Sequence, residues 1–330
     1  MWVPVPDVTV MCDTSNTTEY TLCGTTGDTA VTTNKYSKSG IISGKTRITP
    51  GTTSDFREPD LVVGSGTEYD ASDTSSDTYY KTILGKTGTK EQLAQLFADE
   101  YKAMIESVSK YGGFYIGRYE LSGTVTEPTE KPGKTLTKTD WYNLYNACRS
   151  SKLQASDKVK TQMIWGCQWD VTMNWLISSG AKTSNEVNTD SSSWGNYKGT
   201  SVKADDGTTE IKASEDAQVL NTGKTTFTMA NNIYDLAGNV WEWTQEAVGT
   251  DGRADRGGNY RSSGSSCPAS DRNSGYPDGS DYVYIRFSSH FNNKVAREYK
   301  LKCVKSKEIL IMHTFFVQER RKNEYKKNKY

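Results

Sequence analysis

The chain has 330 residues with 40 basic and 40 acidic side chains, so its zero net charge singles out no polyanionic partner for the molecule as a whole. Hydrophobic residues make up only 34%, and no run of 18 or more apolar residues occurs, which excludes a transmembrane helix within this sequence. The 20 Tyr and 28 Gly point instead to a loop-rich globular protein, long enough for one large domain or two smaller ones, with aromatic rings completing its core.

Six cysteines stand at 12, 23, 148, 167, 267 and 303 with no CxxC pair, and His290 and His313 are the only histidines, so a structural zinc site is not expected. The even count permits disulfides, Cys12 with Cys23 closing a short loop, and leaves the redox compartment open. The opening MWVPVPD lacks the basic start and apolar centre of a signal peptide and reads as the start of a mature part. A cell-surface or secreted location follows if a signal was removed upstream.

Residues 12–86 are Thr, Ser, Gly and Asp with scattered Tyr and Val, a composition of short strands and loops. Their one compact apolar piece, 57–63, reads as a strand or a docking arm. Thr89 with Gln92 forms a capping box for a helix whose apolar face is Leu93, Leu96, Phe97, Tyr101, Met104, Ile105 and Val108, ending at Gly112-Gly113. That stripe is core packing. A strand is expected over 114–120, with Tyr115 and Arg118 on opposite faces.

Asp140 precedes a helix over 141–149 in which Trp141, Leu144, Tyr145 and Cys148 share one face, making Cys148 buried and inert. Trp165, Trp169, Met173 and Leu176 repeat that spacing until Gly180. Residues 184–226 read as a long polar surface loop anchored by Trp194.

The most distinctive stretch is YDLAGNVWEWT at 234–244, followed by RGGNY at 256–260. Ala237-Gly238-Asn239 is a turn signal directly before an aromatic strand that places Trp241 and Trp243 on one face and Glu242 on the other. Two readings stay open. Asp235 and Glu242 converge with turn carbonyls on a hard cation such as calcium, or the segment is a plain hairpin with solvated carboxylates.

Residues 259–284 are almost entirely Tyr, Ser, Gly, Asn, Asp and Arg, the composition of surfaces built for recognition. The alternative is a solvent-facing loop with no partner. The candidate ligand-binding residues are Asn259, Tyr260, Arg261, Ser263, Asp271, Asn273, Tyr276, Asp278, Asp281, Tyr282 and Tyr284.

YDLAGNVWEWT followed by RGGNY resembles the signature of the formylglycine-generating enzyme (sulfatase-modifying factor) family. GFYIGRYE at 113–120, the helix from Trp141 to Cys148 and IWGCQWD at 164–170 are similar to further family segments in the same order, over roughly 111–284. The resemblance implies an α+β, C-type-lectin-like fold, loop-rich, with short antiparallel strands and two or three packed helices. It also implies structural calcium held by the Asp235 and Glu242 side chains and the Gly238 and Val240 carbonyls.

In the family's oxidases two active-site cysteines hold copper, and the matching positions here are Ser262 and Cys267, so only one thiol is present. A lone thiolate is a poor copper(I) site, no histidine lies nearby in sequence to activate Cys267, and copper is not expected. The chain is similar to the variable proteins of diversity-generating retroelements, which use this fold to display a Tyr-, Ser-, Asn- and Asp-rich segment. The expected function is therefore non-catalytic binding of a protein or glycan ligand through 259–284. The alternative is an oxidase acting on a protein cysteine through Cys267, degenerate at its second thiol.

Residues 294–330 hold twelve basic and four acidic side chains, a net +8. Attachment of this tail to nucleic acid or membrane has only charge behind it, and a solvated end is the plainer reading; no specific nucleic-acid partner is expected. Where the family has a strand with Gly-Phe-Arg, the chain reads Tyr284-Ile285-Arg286-Phe287-Ser288. A frameshift near Tyr284 would make the tail foreign and remove a central strand; otherwise 308–317 forms an element of its own. The expected organisation is a polar segment over 1–88, the family-like domain over 89–293 and the tail over 294–330.

Overall fold

The computed structural model describes residues 1–11, 56–57, 83–84, 90–136, 140–154, 159–248, 252–277, 283–285 and 287–291. The Cys12–Cys23 loop, the arm over 58–63, the Thr89 cap and the tail over 294–330 lie outside the described residues. One compact unit spans Met1–His290; of a second, Phe291–Tyr330, only Phe291 is described. Short, mostly antiparallel strands and a few helices make an α+β arrangement. No helix among the described residues is long and apolar enough to cross a membrane.

The first helix, α1 (Lys90–Tyr111), buries Leu93, Phe97, Tyr101, Met104 and Val108, the side that the apolar spacing marks out. Gly112 ends it in the left-handed region (φ 76°), where its N–H reaches the Val108 carbonyl at 2.8 Å. The chain turns at once into β3 (Gly113–Ile116), which pairs antiparallel with β1 (Trp2–Pro4). Contact there is close: a Cβ on Gly113 would meet the Trp2 indole at 2.5 Å.

The strand expected over 114–120 therefore stops at Ile116. Beyond it side chains capture the backbone, with Arg118 N–H on Glu130 Oε1 (2.5 Å) and Glu120 N–H on Thr222 Oγ1 (3.1 Å). Those bonds substitute for a sheet ladder.

Helix α2 (Trp141–Cys148) begins where Asp140 accepts from the Asn143 N–H at 2.9 Å, and it buries Trp141, Leu144, Tyr145 and Cys148 as the spacing requires. Burial pushes the Cys148 thiol well above its ordinary value, which leaves it unreactive. Helix α3 (Gly166–Ser178) is buried on nearly every side, and Gly180 (φ 73°) follows its end. One apolar cluster gathers around Trp165 and Trp169, a second around Trp141 and Trp243.

The stretch over 184–226, expected as a surface loop, carries structure of its own. Helix α4 (Ser184–Asn188) opens on a Thr183–Glu186 capping box, and Val202–Lys203 pairs with Glu210–Lys212 in a two-stranded ribbon. Trp194 is the buried anchor, its indole N–H on the Glu186 carbonyl at 3.1 Å. Short-range polarity hides this structure because Val187, Trp194 and Tyr197 join an apolar cluster with α3 and with Leu236 and Ala237 of the 234–240 turn.

A four-stranded sheet runs β1-β3-β9-β4, with β4 spanning Val159–Met163 and β9 spanning Phe287–Phe291. A five-stranded sheet is centred on β5 (Trp241–Val248), which pairs antiparallel with β6 (Gly252–Arg256) and parallel with β8 (Val283–Ile285). The short β2 (Phe56–Arg57) joins the far end of β5, and β7 (Arg272–Gly275) forms the edge beyond β6. Residues after Tyr284 thus occupy strand positions in both sheets, Ile285 in β8 and Phe287–Phe291 in β9.

Candidate functional site

The 234–240 turn is built from left-handed residues: Asp235 (φ 61°), Gly238 (φ 70°) and Asn239 (φ 58°). Only small or Asx residues visit this region readily, which explains the turn signal ahead of the aromatic strand. Gly238 is required for a second reason, since a Cβ there would collide with the Asn196 carbonyl. Its N–H donates to the Gly257 carbonyl at 2.8 Å, and the Tyr260 N–H donates to the Asn239 carbonyl at 2.9 Å. The two signature segments are thereby docked on each other.

Asn239 is a buried hub. Its Nδ2 donates to Glu120 Oε2 (2.8 Å) and the Leu220 carbonyl (3.2 Å), while its Oδ1 accepts from Asn196 Nδ2 (2.9 Å) and the Leu220 N–H (2.9 Å). Asn alone among small side chains offers two donors and an acceptor at a position with positive φ.

Asp235 Oδ2 accepts from Thr222 Oγ1 and the Gly223 N–H, each at 2.9 Å, so this carboxylate pins the 222–223 turn. Glu242 is fully buried and in register with Arg256 across β6. Neither carboxylate is exposed to solvent. Gly238 and Val240 are buried between them in the chain. Among the described residues no group of three or more His, Cys, Asp or Glu side chains is placed to share a metal ion.

Both faces of β5 are covered, because Trp241, Glu242 and Trp243 are all buried. On the face opposite the tryptophans lies an ion cluster that sequence reasoning missed. Asp170 on α3 pairs through Oδ1 with Arg256 and through Oδ2 with Arg272 (2.5 Å), and Arg272 Nε reaches Glu246 Oε2 at 2.9 Å. All four side chains are buried. Gly166 makes room for it, since a Cβ there would collide with the Glu246 carboxylate. The cluster ties β5, β6 and β7 to α3.

Within 259–284 the structure separates two kinds of candidate. Asn259, Tyr260 and Asp271 are buried. Asn259 organises the turn, its Oδ1 accepting from the N–H of Arg261 (2.8 Å) and Ser262 (3.0 Å) and from Ser262 Oγ (3.1 Å). Tyr260 packs on Val240. Arg261, Ser263 and Tyr276 are exposed, Tyr276 at 53%, and Asn273 is half-buried. Ser265, Ser266 and Ser274, not among the candidates, are exposed as well. Tyr284 falls on β8 in register with Glu242, while Asp278, Asp281 and Tyr282 lie outside the described residues.

The turn rests on loops from elsewhere: Lys198 N–H donates to the Ser262 carbonyl (3.0 Å) and Ser191 N–H to the Gly264 carbonyl (3.1 Å). Ser262 is bound to Asn259, and Cys267 is fully buried with its N–H on the Ser263 carbonyl at 3.0 Å. Gly258 (φ 78°) packs against it, where a Cβ would meet the Cys267 carbonyl at 2.5 Å.

No protein-family profile matches the chain, and no curated protein matches it. Among solved structures it is similar to Treponema denticola variable protein 1 at 15% identity and a TM-score of 0.30, over 49% of this chain and 73% of that chain.

Proposed function

We propose that the chain is a non-catalytic binding protein of C-type-lectin-like fold, related to the formylglycine-generating enzymes, that presents part of 259–284 to a protein or glycan ligand. Such presentation is the use made of the fold by variable proteins of diversity-generating retroelements. One observation carries the reading: exposed Arg261 and Ser263 stand on a turn whose backbone hydrogen bonds are made by buried Asn259, Asn239 and the 191–198 loop, and Tyr276 is exposed at the end of β7. A surface of this kind lets side chains vary without disturbing the fold, and Tyr, Arg and Ser supply contact area and adaptable hydrogen bonds.

Joint replacement of Arg261, Ser263 and Tyr276 by Ala is expected to change stability by no more than about 1 kcal/mol, because exposed positions contribute little. Asn259→Ala alone should cost about 1–2 kcal/mol through the stranded N–H groups of the turn. Wild type and triple variant are then compared on a glycan array and a panel of immobilised proteins. Binding by the wild type that the triple variant loses, at unchanged Tm, supports the assignment; binding equal in both would remove 259–284 from recognition.

Calcium at Asp235, Gly238, Val240 and Glu242 belongs to the same proposal, as a brace for the turn rather than a ligand contact. With four protein oxygens such an ion would need water to complete its shell. A bound ion raises Tm in calcium relative to chelator, by roughly 2.7 kcal/mol of stability at a hundredfold excess over Kd, and Glu242→Gln should abolish that difference. A wild-type Tm indifferent to calcium would eliminate the ion from the proposal.

A further inference from the structure

The ribbon residue Lys212 is buried, with 2% of its surface exposed, and its ammonium points into backbone rather than solvent. Nζ donates to four carbonyls, those of Tyr197 (2.9 Å), Thr200 (2.7 Å), Ala213 (3.3 Å) and Asp216 (3.1 Å). No carboxylate oxygen is among these contacts. A ring of main-chain oxygens around one positive centre, closed by a single loop, is the ligand chemistry of a bound cation.

We infer that the Lys212 ammonium is an internal cation, filling a carbonyl cage that would otherwise require a free monovalent ion, and that it thereby holds the 197–216 loop in place. Several facts support the charged form. Four acceptors converge on one nitrogen, and an ammonium offers three N–H donors against two for a neutral amine; burial lowers the Lys212 pKa from its ordinary value, and the acidic side chains of Asp216, Glu210 and Glu215 work against that shift.

The consequence reaches beyond the loop. Tyr197, whose carbonyl lines the cage, places its hydroxyl on the Gly257 carbonyl at 2.8 Å, and the neighbouring Lys198 N–H supports the Ser262 carbonyl at 3.0 Å. Lys212 is thus a positioning residue for the turn that carries Arg261 and Ser263. This last step rests on the recognition reading; the cage itself does not.

The test separates the two. Lys212→Ala vacates the cage, and its Tm is measured in choline chloride, which is too large to enter, and in potassium or ammonium chloride. The expected result is a loss of roughly 5 °C or more in choline, of which at least half returns in potassium or ammonium, while the wild type is unmoved by the exchange. Loss of equal size in all three salts, or no loss, overturns the inference. If the variant does not fold in choline, its refolding yield with and without potassium decides in the same way. In the unmodified protein, amine-directed acetylation read by mass spectrometry should label Lys212 at least about tenfold more slowly than exposed Lys198. Comparable rates would also overturn it. None of these readouts depends on a ligand, so the cage stands or falls whatever 259–284 binds.

Discussion

Asn239→Ala is expected to destabilise the protein by about 3–4 kcal/mol, a Tm loss of roughly 10 °C. Two terms add. The substitution strands the Leu220 N–H and carbonyl, both bound to the Asn239 amide, and it leaves Asn196 and Glu120 each one partner short in a buried setting. It also places Ala at φ 58°, a conformation that costs an L residue with a Cβ about 1 kcal/mol. Asn239→Asp should be worse, because it brings a second carboxylate to Glu120 Oε2. Urea melts of the two variants against wild type check both statements, and a loss under about 1 kcal/mol for Asn239→Ala would show that the hub is dispensable.

The second large effect is expected at Asp170. Its carboxylate pairs with both Arg256 and Arg272, and all three are buried, so Asp170→Ala leaves two guanidinium groups out of water with Glu246 as the one remaining counter-charge of the cluster. Removing one partner of a buried pair costs about 3–5 kcal/mol, a large share of the whole stability of a domain, so little soluble folded protein is expected. Glu246→Gln is the informative contrast. It keeps an acceptor for Arg272 Nε while removing one of the cluster's two negative charges, and should cost less than Asp170→Ala, which removes acceptors and charge together.

The pH dependence has a defined sign. Burial is the main influence on the Glu246 carboxyl and raises its pKa, against the opposing pull of Arg272 and Arg256. The folded protein therefore holds this proton more tightly than the unfolded chain. Stability from this group falls as pH rises through the interval between the ordinary carboxylate value and the raised one. Denaturant midpoints across that interval should slope more steeply downward in wild type than in Glu246→Gln. Matching slopes would mean that Glu246 titrates as it does in the unfolded chain.

Much of the scaffold is legible without coordinates. The stripe from Leu93 to Val108, the Asp140 cap and the Trp165–Leu176 spacing each mark a helix, because an amphipathic face repeats every 3.6 residues whatever lies around it. The turn ahead of Trp241 is equally local, since Gly and Asn are the residues that tolerate positive φ.

The 259–284 segment was legible only as composition. Asn259, Tyr260 and Asp271 share its polar character with Arg261, Ser263 and Tyr276, yet the first three are buried and the last three exposed. Nothing in their order distinguishes them, because burial of a polar residue depends on whether a partner arrives to satisfy it.

The same reason sets the general division. By itself the sequence determined helices α1, α2 and α3, their buried faces, the left-handed turn and the reactive poverty of Cys148, all consequences of residues a few positions apart. Only the tertiary structure decided that β5 pairs antiparallel on one side and parallel on the other, that Asp170 meets Arg256 and Arg272, and that Lys212 finds four carbonyls. A strand pairing or a buried charge is stable only with its particular partner, and the ion-pair partners here lie 86 and 102 residues away along the chain.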